Sequence, residues 1–448
     1  MVQIIVAMTK SGGIGMAGKI PWYISEELGI FRQKTLDKTL VMGRITVQSL
    51  PKLNRRNIIC ITNDKNRWIN NSWANTVQFA DNLQKISNWD NTLIAGGTHI
   101  YKMAFNIPNF VTKIHISIIN EEYPCDSFFD THWLDNFVIT SKTDYDKFTH
   151  YELERTNYGE QQYLDVLKSV YVNGLEKVGR NGPVFSTFKN DMTFDLRNGF
   201  PLLTTKKMFY RGIVEEFIFF VCGRTDTTEL SNKKVRVWEG NTSEEFIRNR
   251  GLKYSKGVMG PLYGWQWRFF NASYIVDETG KPIPNPDGGI DQLKNAVELI
   301  KTDPESRRIL ITTYNPSQAE QGVLYPCHSI ILQFYVQDDY LDMFCYNRSQ
   351  DIVLGVPFNI ASSSLLLIVV SKLTNKIPRY LYMTLGDTHI YKNHMENVKF
   401  LFDRIPYKFP NVEITKLENI EDLEKLTLQD FILENYKHHS HIHFDMVA

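Results

Sequence analysis

Residues 324–328 read LYPCH, and residues 330–336 continue as the apolar run IILQFYV. The proline holds the backbone away from the helical region, and a short apolar run rich in β-branched and aromatic residues predicts a buried strand. We therefore expect Cys327 at the entrance of a strand. A single cysteine beside a strand is more often inert core packing than a nucleophile, so this stretch by itself leaves both roles open.

A catalytic Cys327 needs a lowered thiol pKa, because the thiolate is the nucleophilic form. Three nearby side chains are candidate cations for stabilising it: Arg307, Arg308 and Arg348. Arg307 and Arg308 stand directly before the apolar residues 309–311. A solvated pair at a strand end is the more ordinary interpretation, and a guanidinium fork that binds a phosphate is the alternative.

The composition of the 448 residues is typical of a globular protein, since 43% of them are hydrophobic. The length predicts two large domains or three of average size. Lysine plus arginine equals aspartate plus glutamate, at 50 each, which argues against a general electrostatic attraction to nucleic acid or to a membrane. Any anionic ligand must then be met by local arginine clusters.

The five cysteines show no pairwise spacing, so we expect neither a disulfide framework nor a metal site. The N-terminus begins with a strand-like sequence and lacks the basic segment and cleavage site of a signal peptide. The longest apolar run, around residues 365–370, is expected to be too short to span a bilayer. These features favour a cytoplasmic protein without a membrane or nucleic-acid partner.

The first third of the chain alternates short apolar strands with helical patterns, which predicts a mostly parallel α/β domain. Residues 25–35 are expected to form a helix with Ser25 as its N-cap, and residues 12–15 a glycine loop. Gly96 and Gly97 lie between a predicted strand and a predicted helix, an order that presents backbone N–H groups to a phosphate. A tight turn without a ligand is the commoner explanation of such a pair.

The hydrophobic pattern changes near the end of this region, where residues 163–178 predict an amphipathic helix. We therefore divide the chain into an α/β domain of residues 1–157 and a larger α+β domain of residues 158–448. In the second domain, Glu216 lies inside a strongly apolar predicted helix. Pairing with an arginine as structure and proton relay at a raised pKa are about equally expected for such a glutamate.

Six sequence blocks in the second domain resemble thymidylate synthase, and they occur in that family's order. Several blocks in one order are far more specific than one short motif. The blocks are residues 201–207 (PLLTTKK), 260–268 (GPLYGWQWR), 303–308 (DPESRR), 326–328 (PCH), 354–362 (LGVPFNIAS) and 385–391 (LGDTHIY).

This resemblance implies a role for each catalytic group. Cys327 would add to C6 of dUMP and make C5 nucleophilic toward 5,10-methylenetetrahydrofolate, the donor of carbon and hydride. Glu216 would manage protons at O4 through water, and Tyr263 would position the water that removes the C5 proton. Asn359 would read the N3–H and O4 edge of uracil, because an amide both donates and accepts.

The same resemblance implies the other binding residues of this domain. The dUMP ligands would be Arg180, Arg348, Ser349, His389 and Tyr391, together with Arg307 and Arg308 supplied by the other subunit of a homodimer formed through the synthase domains. The folate ligands would be Asp351, Trp238 and Ala448, with the C-terminal residues closing over the ligands to exclude water.

Four positions depart from the family's pattern without removing a catalytic group. The family usually has Gln at Asn347, Trp at Tyr314 and Tyr at Ser363, and Gly and Thr are common where Pro183 stands.

The first domain resembles dihydrofolate reductase over its whole length. The matching positions, in the family's order, are 13–15 (GIG), 20–22 (IPW), Glu27, Phe31, 41–44 (VMGR), Arg55 and 95–97 (AGG). Glu27 would bond the pterin and promote protonation of N5, with Ser117 in place of the family's supporting Thr. Phe31 and Ala95 would bind the folate, and Arg55 would pair with the α-carboxylate of its glutamate.

By this resemblance NADPH would deliver hydride to C6 of the pterin. The residues expected to bind NADPH are Ala7, Ile14, Arg44, Thr46, Thr62, Gly96, Gly97 and Thr98. Residues 62–65 should meet the adenosine 2′-phosphate, where the charge of Asp64 is unfavourable.

A chain with both resemblances, reductase first, is similar to the bifunctional dihydrofolate reductase–thymidylate synthase family, in which the reductase restores the folate that the synthase oxidises. Two other interpretations stay open at this point. A pyrimidine hydroxymethylase would differ in product mass, although Asn359 argues against a cytosine substrate. A nucleotide- or RNA-binding module would retain the pocket without catalysis, and covalent trapping by a 5-fluoro nucleotide would exclude it.

Overall fold

The computed structural model describes most of the chain in two compact units, Met1–Thr156 and Asn157–Ala448. The described residues are 2–51, 53–63, 77–86, 89, 91–107, 110–134, 137–155, 157–179, 181–283 and 288–446.

The first unit is built on a mostly parallel sheet. Its strands are β1 (Val2–Thr9), β2 (Gly13–Gly15), β3 (Thr39–Gly43), β4 (Asn57–Ile61), β5 (Val77–Ala80), β6 (Thr92–Ile94), β7 (Val111–Ile119), β8 (Ser127–Phe128), β9 (Phe137–Asp144) and β10 (Phe148–Arg155), and its helices are α1 (Ser25–Thr35), α2 (Arg44–Ser49) and α3 (Thr98–Phe105). Eight strands pair in the order β5-β4-β3-β6-β1-β7-β10-β9. Neighbours from β5 to β7 run parallel, and β10 and β9 close the sheet antiparallel. The predicted α/β fold class is confirmed.

Two local predictions for this unit are wrong. Ser25 is the first residue of α1, whereas Ile24 occupies the N-cap position without a side-chain hydrogen bond. The exposed Glu26 lies in the first turn, where its negative charge interacts favourably with the helix dipole, so a hydroxyl cap is not required. The expected glycine loop at residues 12–15 contains β2, because its backbone pairs with β8.

The second unit combines a six-stranded sheet with helices. Its strands are β11 (Leu175–Gly179), β12 (Gly182–Asp195), β13 (Leu310–Thr312), β14 (Ile331–Gln337), β15 (Tyr340–Asp351), β16 (Ile377–Tyr391), β17 (Asn411–Ile414) and β18 (Phe431–Glu434), and its helices are α4 (Tyr158–Asn173), α5 (Tyr210–Val221), α6 (Thr228–Asn232), α7 (Glu244–Asn249), α8 (Gly264–Arg268), α9 (Gln292–Thr302), α10 (Gly355–Leu373) and α11 (Met395–Phe402). The large sheet has the order β11-β12-β16-β15-β14-β13 and is antiparallel except between β15 and β16. The predicted α+β class is confirmed.

The helix expected over residues 163–178 ends earlier than its hydrophobic pattern indicates. α4 stops at Asn173, and the apolar residues that follow form β11. At Gly174 an added Cβ would lie 2.4 Å from the carbonyl oxygen of Val170 and 3.1 Å from the backbone of Phe185. The close approach of β12 therefore ends the helix, and strand pairing replaces helical hydrogen bonds beyond that point.

α10 is the apolar centre of the second unit, and it packs against α5, β15 and β16. By length and composition this helix is long enough to cross a membrane, so the expectation based on the shorter run at residues 365–370 is wrong for the whole helix. Inside the protein, however, 78% of its most apolar window is buried. A helix that is apolar on all sides and enclosed by its own domain is typical of a globular core.

Candidate active sites

Cys327 lies in the loop just before β14, as predicted, and β15 holds this loop in place. The carbonyl oxygen of Cys327 accepts backbone N–H groups from Arg348 (2.9 Å) and Ser349 (3.2 Å). The Cys327 Sγ atom lies 3.4 Å from the hydroxyl oxygen of Tyr263. The backbone of Cys327 is therefore held by the end of β15, and its half-buried thiol lies next to the phenol of Tyr263.

The net shift of the Cys327 thiol pKa is upward, because burial disfavours the thiolate. The Tyr263 hydroxyl and the positive charge of Arg348 act in the opposite direction. Of the three candidate cations, only Arg348 contributes to this balance. Arg307 and Arg308 are exposed, and the expectation that they lower this pKa is not met within one chain. Neither guanidinium is hydrogen-bonded to another residue in the part of the chain that the structure describes.

Tyr263, Trp238 and Glu216 form one wall beside the thiol. Tyr263 is fully buried, and its backbone has φ +47°, a conformation that a bulky residue adopts only when its surroundings enforce it. Its ring stacks on His328 with centroids 4.3 Å apart. The Glu216 carboxyl accepts a hydrogen bond from Trp238 Nε1 (2.7 Å), and burial raises its pKa to about 7. Glu216 can therefore both hold and release a proton near neutral pH.

The Asn359 amide is buried on α10 and held from β15. Its Nδ2 group donates to the Oε1 atom of Gln350 at 2.6 Å. This contact fixes the orientation of the amide and leaves Oδ1 and one N–H for a ligand. Sequence reasoning did not identify Gln350 as a partner, because the two residues meet only when α10 folds back on β15.

The predicted residues Arg348, Ser349, Asp351, His389 and Tyr391 lie at the same end of the parallel strands β15 and β16. His389 Nδ1 is 3.1 Å from Asp387 Oδ1, and its ring packs edge-on against Tyr391. Asp351 Oδ1 accepts the backbone N–H of Val353 (2.8 Å) at the start of the α10 turn. Arg180 and Ala448 lie outside the described residues.

Lys206 and Glu160 are buried charged residues of this unit that sequence reasoning missed. The Lys206 ammonium donates to the carbonyl of Val353 and lies 5.3 Å from the ring centroid of Phe444, and burial lowers its pKa to about 8. The carboxylate of Glu160 accepts hydrogen bonds from the backbone N–H and hydroxyl groups of Thr204 and Thr205. The sequence block at residues 201–207 matched the synthase family, but it gave no indication that Lys206, Thr204 and Thr205 make these contacts.

Asn347, one of the four departures, has a structural partner. Its Oδ1 atom accepts the backbone N–H of Ser329 at 2.9 Å, which supports the loop directly after Cys327. Ser363 lies close to the same place, with its hydroxyl 3.8 Å from the Sγ atom of Cys345.

In the first unit, Glu27 projects from α1 into the protein and is 7% exposed. Burial raises the pKa of its carboxyl to about 7, and a hydrogen-bonding contact with the Ser117 side chain on β7 opposes that shift. The common expectation that a helical glutamate is solvated does not hold for Glu27. The carboxyl can therefore act as an acid near neutral pH.

The predicted folate residues near Glu27 lie in different environments. Phe31 and Ala95 are partly buried against the same apolar cluster. Arg55 is exposed, and its guanidinium forms a two-point ion pair with Asp37. A folate carboxylate would therefore compete with Asp37 for this guanidinium.

Several predicted NADPH residues meet around the Gly96–Gly97 peptide, which is cis. A Cβ added at Gly97 would lie 3.1 Å from the Thr46 hydroxyl, and one at Gly96 would lie 3.1 Å from the Thr46 methyl group. Gly97 occupies the N-cap position of α3, so the first backbone N–H groups of this helix face the space beside the two glycines. A side chain at either glycine would occupy that space. This donor set fits a phosphate-bearing cofactor.

The remaining predicted NADPH residues are placed as follows. The Thr98 hydroxyl donates to the carbonyl of Phe128 (2.9 Å), and Arg44 donates to Gln48 (2.8 Å). Ala7 and Ile14 are partly buried, and the Thr62 backbone N–H donates to Ala80. Asp64 and Lys65, expected near a 2′-phosphate, lie outside the described residues.

Comparison with known proteins gives matches to both parts of the chain. The family model of thymidylate synthase matches residues 161–448, and that of dihydrofolate reductase matches residues 1–160. A bifunctional dihydrofolate reductase-thymidylate synthase of Paramecium tetraurelia is 34% identical over 471 aligned positions, covering 100% of this chain and 98% of that protein. The enzyme of the same name from Leishmania major is also 34% identical, covering 100% and 95%. A thymidylate synthase of Equine herpesvirus 2 is 41% identical over 291 positions, covering 64% of this chain and 98% of that protein.

Proposed function

This chain belongs to the bifunctional dihydrofolate reductase–thymidylate synthase family, and from that premise we propose which of its residues perform the two reactions. The enzyme methylates dUMP to dTMP with 5,10-methylenetetrahydrofolate and reduces dihydrofolate with NADPH. We assign the reduction to residues 1–157 and the methylation to residues 158–448. The main support for assigning methylation to residues 158–448 is that the Cys327 thiol lies beside the Tyr263 hydroxyl, in the same unit as Glu216, whose pKa is about 7.

In the synthase reaction, Cys327 is the nucleophile. Its Sγ atom forms a bond to C6 of dUMP, and the electron pair of the C5–C6 double bond moves toward C5 and O4. Because burial keeps the thiol protonated, its proton must leave as the bond forms. Methylenetetrahydrofolate supplies the carbon and the hydride, after which the Sγ–C6 bond breaks and the free thiol returns.

We propose that Glu216 and Tyr263 carry out the proton transfers of the synthase reaction. A carboxyl with a pKa of about 7 can serve in turn as acid and base at neutral pH. Trp238 holds one carboxyl oxygen of Glu216 and so orients the group. The buried Tyr263 hydroxyl places a water near C5, and Asn359 reads the uracil edge.

Gln350→Ala is expected to lower kcat/KM for dUMP about tenfold, a cost of roughly 1.4 kcal/mol. The variant removes the hydrogen bond that orients the buried Asn359 amide and also the bond from Gln350 Nε2 to the carbonyl oxygen of Cys327 (3.3 Å). Steady-state rates of dTMP formation at varied dUMP concentration measure this effect. The matched control is Gln333→Ala, an exposed glutamine on β14, which should retain the wild-type value. Equal kinetics for the two variants would show that Gln350 does not position Asn359.

For the reductase reaction we propose Glu27 as the acid. NADPH supplies a hydride to C6 of the pterin. The protonated Glu27 carboxyl, present below about pH 7, promotes proton delivery to N5 and bonds the pterin ring. Phe31 and Ala95 line the folate site, and the Gly96–Gly97 cradle with Thr46 holds the cofactor's phosphates.

We propose a homodimer formed through the synthase domains, in which Arg307 and Arg308 bind the nucleotide phosphate in the other subunit's site. Support comes from the exposure of both side chains and from their lack of hydrogen bonds among the described residues. Both arginine side chains point to solvent, so we expect them to bind the nucleotide phosphate only when the other subunit places its own site against them. The even charge balance and the burial of α10 support a cytoplasmic enzyme that needs neither membrane nor nucleic acid.

Co-expression of Arg307→Ala with Cys327→Ala tests this sharing of arginines. Each variant alone is expected to be nearly inactive in dTMP formation, whereas random mixing should restore about a quarter of the sites, since half of the dimers are mixed and each has one intact site. The control pair is Glu216→Gln with Cys327→Ala. Glu216 and Cys327 act in the same subunit, so random mixing should leave every site of this pair without one of these groups. Recovery in the control alone, or in neither pair, would show that Arg307 does not act across subunits.

Covalent trapping tests the synthase assignment directly. Incubation with 5-fluoro-dUMP and methylenetetrahydrofolate should add the mass of both ligands to the wild-type chain, with the modified peptide containing Cys327, because fluorine at C5 prevents the later elimination. An unmodified chain, or modification at another cysteine, would overturn Cys327 as the nucleophile.

A further inference from the structure

His394 is a buried histidine of the second unit that holds the C-terminal segment, which we define as residues 438–446. It is 1% exposed and lies directly before α11. Its Nε2 atom lies 2.8 Å from the backbone carbonyl oxygen of Asp445. Since a carbonyl oxygen only accepts, the imidazole carries a proton on Nε2 and donates it to this segment. The reaction steps proposed above do not use this side chain.

The ring of His394 packs edge-on against two aromatic side chains. It meets the Phe444 ring at 73°, with centroids 5.3 Å apart, and the Tyr391 ring at 79°, with centroids 5.9 Å apart. Phe444 is itself buried in the apolar core of the second unit. One imidazole therefore contacts both the C-terminal segment and Tyr391, an expected ligand of the deoxyribose.

Phe444 also links the C-terminal segment to the folate side of the site. The Lys206 ammonium lies 5.3 Å from the centroid of the Phe444 ring and donates to the carbonyl of Val353. The backbone N–H of Val353 donates in turn to Asp351 Oδ1 at 2.8 Å. Direct contacts thus connect Phe444 to the loop that carries Asp351, the expected pterin ligand.

The second ring nitrogen of His394 indicates that packing alone does not explain this residue. Its Nδ1 atom is buried and has no hydrogen-bond partner in the part of the chain that the structure describes. An unpaired polar atom in the interior costs free energy, which an apolar side chain of similar size would avoid. What an apolar side chain cannot provide is the bond from Nε2 to Asp445.

The bond from His394 holds the chain at the point where it becomes exposed. Phe444 is buried, whereas Asp445 and Met446 are exposed. Ala448, an expected folate ligand, comes three residues after Asp445 in the sequence, and three residues span at most about 11 Å. Holding Asp445 therefore limits the positions that Ala448 can reach.

We propose that His394 is a positioning residue of the synthase, which fixes Phe444 and Asp445 so that the C-terminal segment meets the folate co-substrate. This inference rests on the proposed synthase function. His394 acts through geometry, because a preorganised segment loses less conformational freedom when the folate binds. Without the bond to Asp445 the segment leaves its place more often, and productive folate binding becomes weaker while the nucleotide contacts remain.

The kinetic test compares variants of the full chain at saturating dUMP. His394→Leu keeps apolar packing but has no donor, and it should lower kcat/KM for methylenetetrahydrofolate about five- to tenfold. The dissociation constant of dUMP, measured by calorimetry without folate, should stay within about twofold of wild type. His394→Gln keeps a donor near the position of Nε2 and should recover at least about half of the wild-type kcat/KM. His441→Leu removes an exposed imidazole of the same segment and should match wild type.

Digestion with a carboxypeptidase measures the attachment of the segment without any ligand. Release of Met446 and Asp445 should be about five- to tenfold faster in His394→Leu than in wild type, because local opening of the segment becomes more frequent. Digestion of His441→Leu should proceed at the wild-type rate.

Thermal unfolding shows whether each variant is folded, and His394→Met, which also lacks a donor, replaces His394→Leu if the latter unfolds. Wild-type kcat/KM in the variant without a donor, an equal loss of dUMP binding, or no recovery in His394→Gln would overturn the inference. Equal digestion of His394→Leu and wild type would also overturn it. A wild type that forms no dTMP, with digestion rates as expected, would instead overturn the proposed synthase function.

Discussion

Cys327→Ala is expected to lose dTMP formation by about 10⁴-fold or more, because no other group can replace the covalent bond to C6. Reduction of added dihydrofolate should stay at the wild-type rate, since that site lies in the separate unit Met1–Thr156. The loss should appear in kcat, whereas dUMP should still bind through its phosphate and uracil contacts. Single-turnover dTMP formation and dUMP binding by calorimetry measure the two parts.

Cys222→Ser is the matched control for the loss of a thiol in the same unit. Cys222 is buried, and its Sγ atom donates to the carbonyl of Leu423 at 3.4 Å, a bond that a serine hydroxyl can keep. This variant should retain dTMP formation. Appreciable dTMP formation by Cys327→Ala would contradict covalent catalysis at this position, and loss of both reactions would indicate misfolding.

Glu27→Gln is expected to lower dihydrofolate reduction about 10²- to 10³-fold near neutral pH, because glutamine has the same shape but carries no acidic proton. Burial raises the pKa of the Glu27 carboxyl from 4.5 to about 7, so the acid form is present below that pH and is lost above it. The wild-type rate of hydride transfer should therefore fall about tenfold per pH unit above pH 7. The residual rate of the variant should not show this dependence.

The adjacent Glu26 is exposed in the first turn of the same helix, and Glu26→Gln should leave both the rate and the pH profile unchanged. Stopped-flow decay of NADPH absorbance with added dihydrofolate measures all three proteins. A Glu27→Gln variant that keeps the wild-type pH profile would contradict the assignment of Glu27 as the acid. Its dTMP formation should be normal and provides an internal folding control.

The sequence predicted the fold classes of both units because the deciding signals are local. The parallel strands of the first unit appear as short apolar runs between turns, and the position of Cys327 before β14 follows from one proline and one apolar run. The role of Glu27 was expected from the reductase resemblance, whereas its burial is seen only in the folded structure.

Contacts between distant segments could not be predicted. Lys206 reaches the carbonyl of Val353 only through the tertiary fold, and His150 meets Ser117 through the register of β10 on β7. The upward pKa shift of Cys327 also depends on packing, because burial outweighs the charge of Arg348. A candidate cation can be named from sequence, but the balance between its charge and desolvation requires the folded structure.

The most direct test of the account follows dTMP by product mass and NADPH by absorbance in one reaction that contains dUMP, methylenetetrahydrofolate and NADPH. The wild type should form dTMP and then consume NADPH only as dihydrofolate appears, and Glu27→Gln should form dTMP while dihydrofolate accumulates. Cys327→Ala should form no dTMP at any stage and should consume NADPH only after dihydrofolate is added. A wild type that reduces added dihydrofolate yet forms no dTMP would contradict the central claim that Cys327 and Glu27 serve two consecutive reactions of one chain.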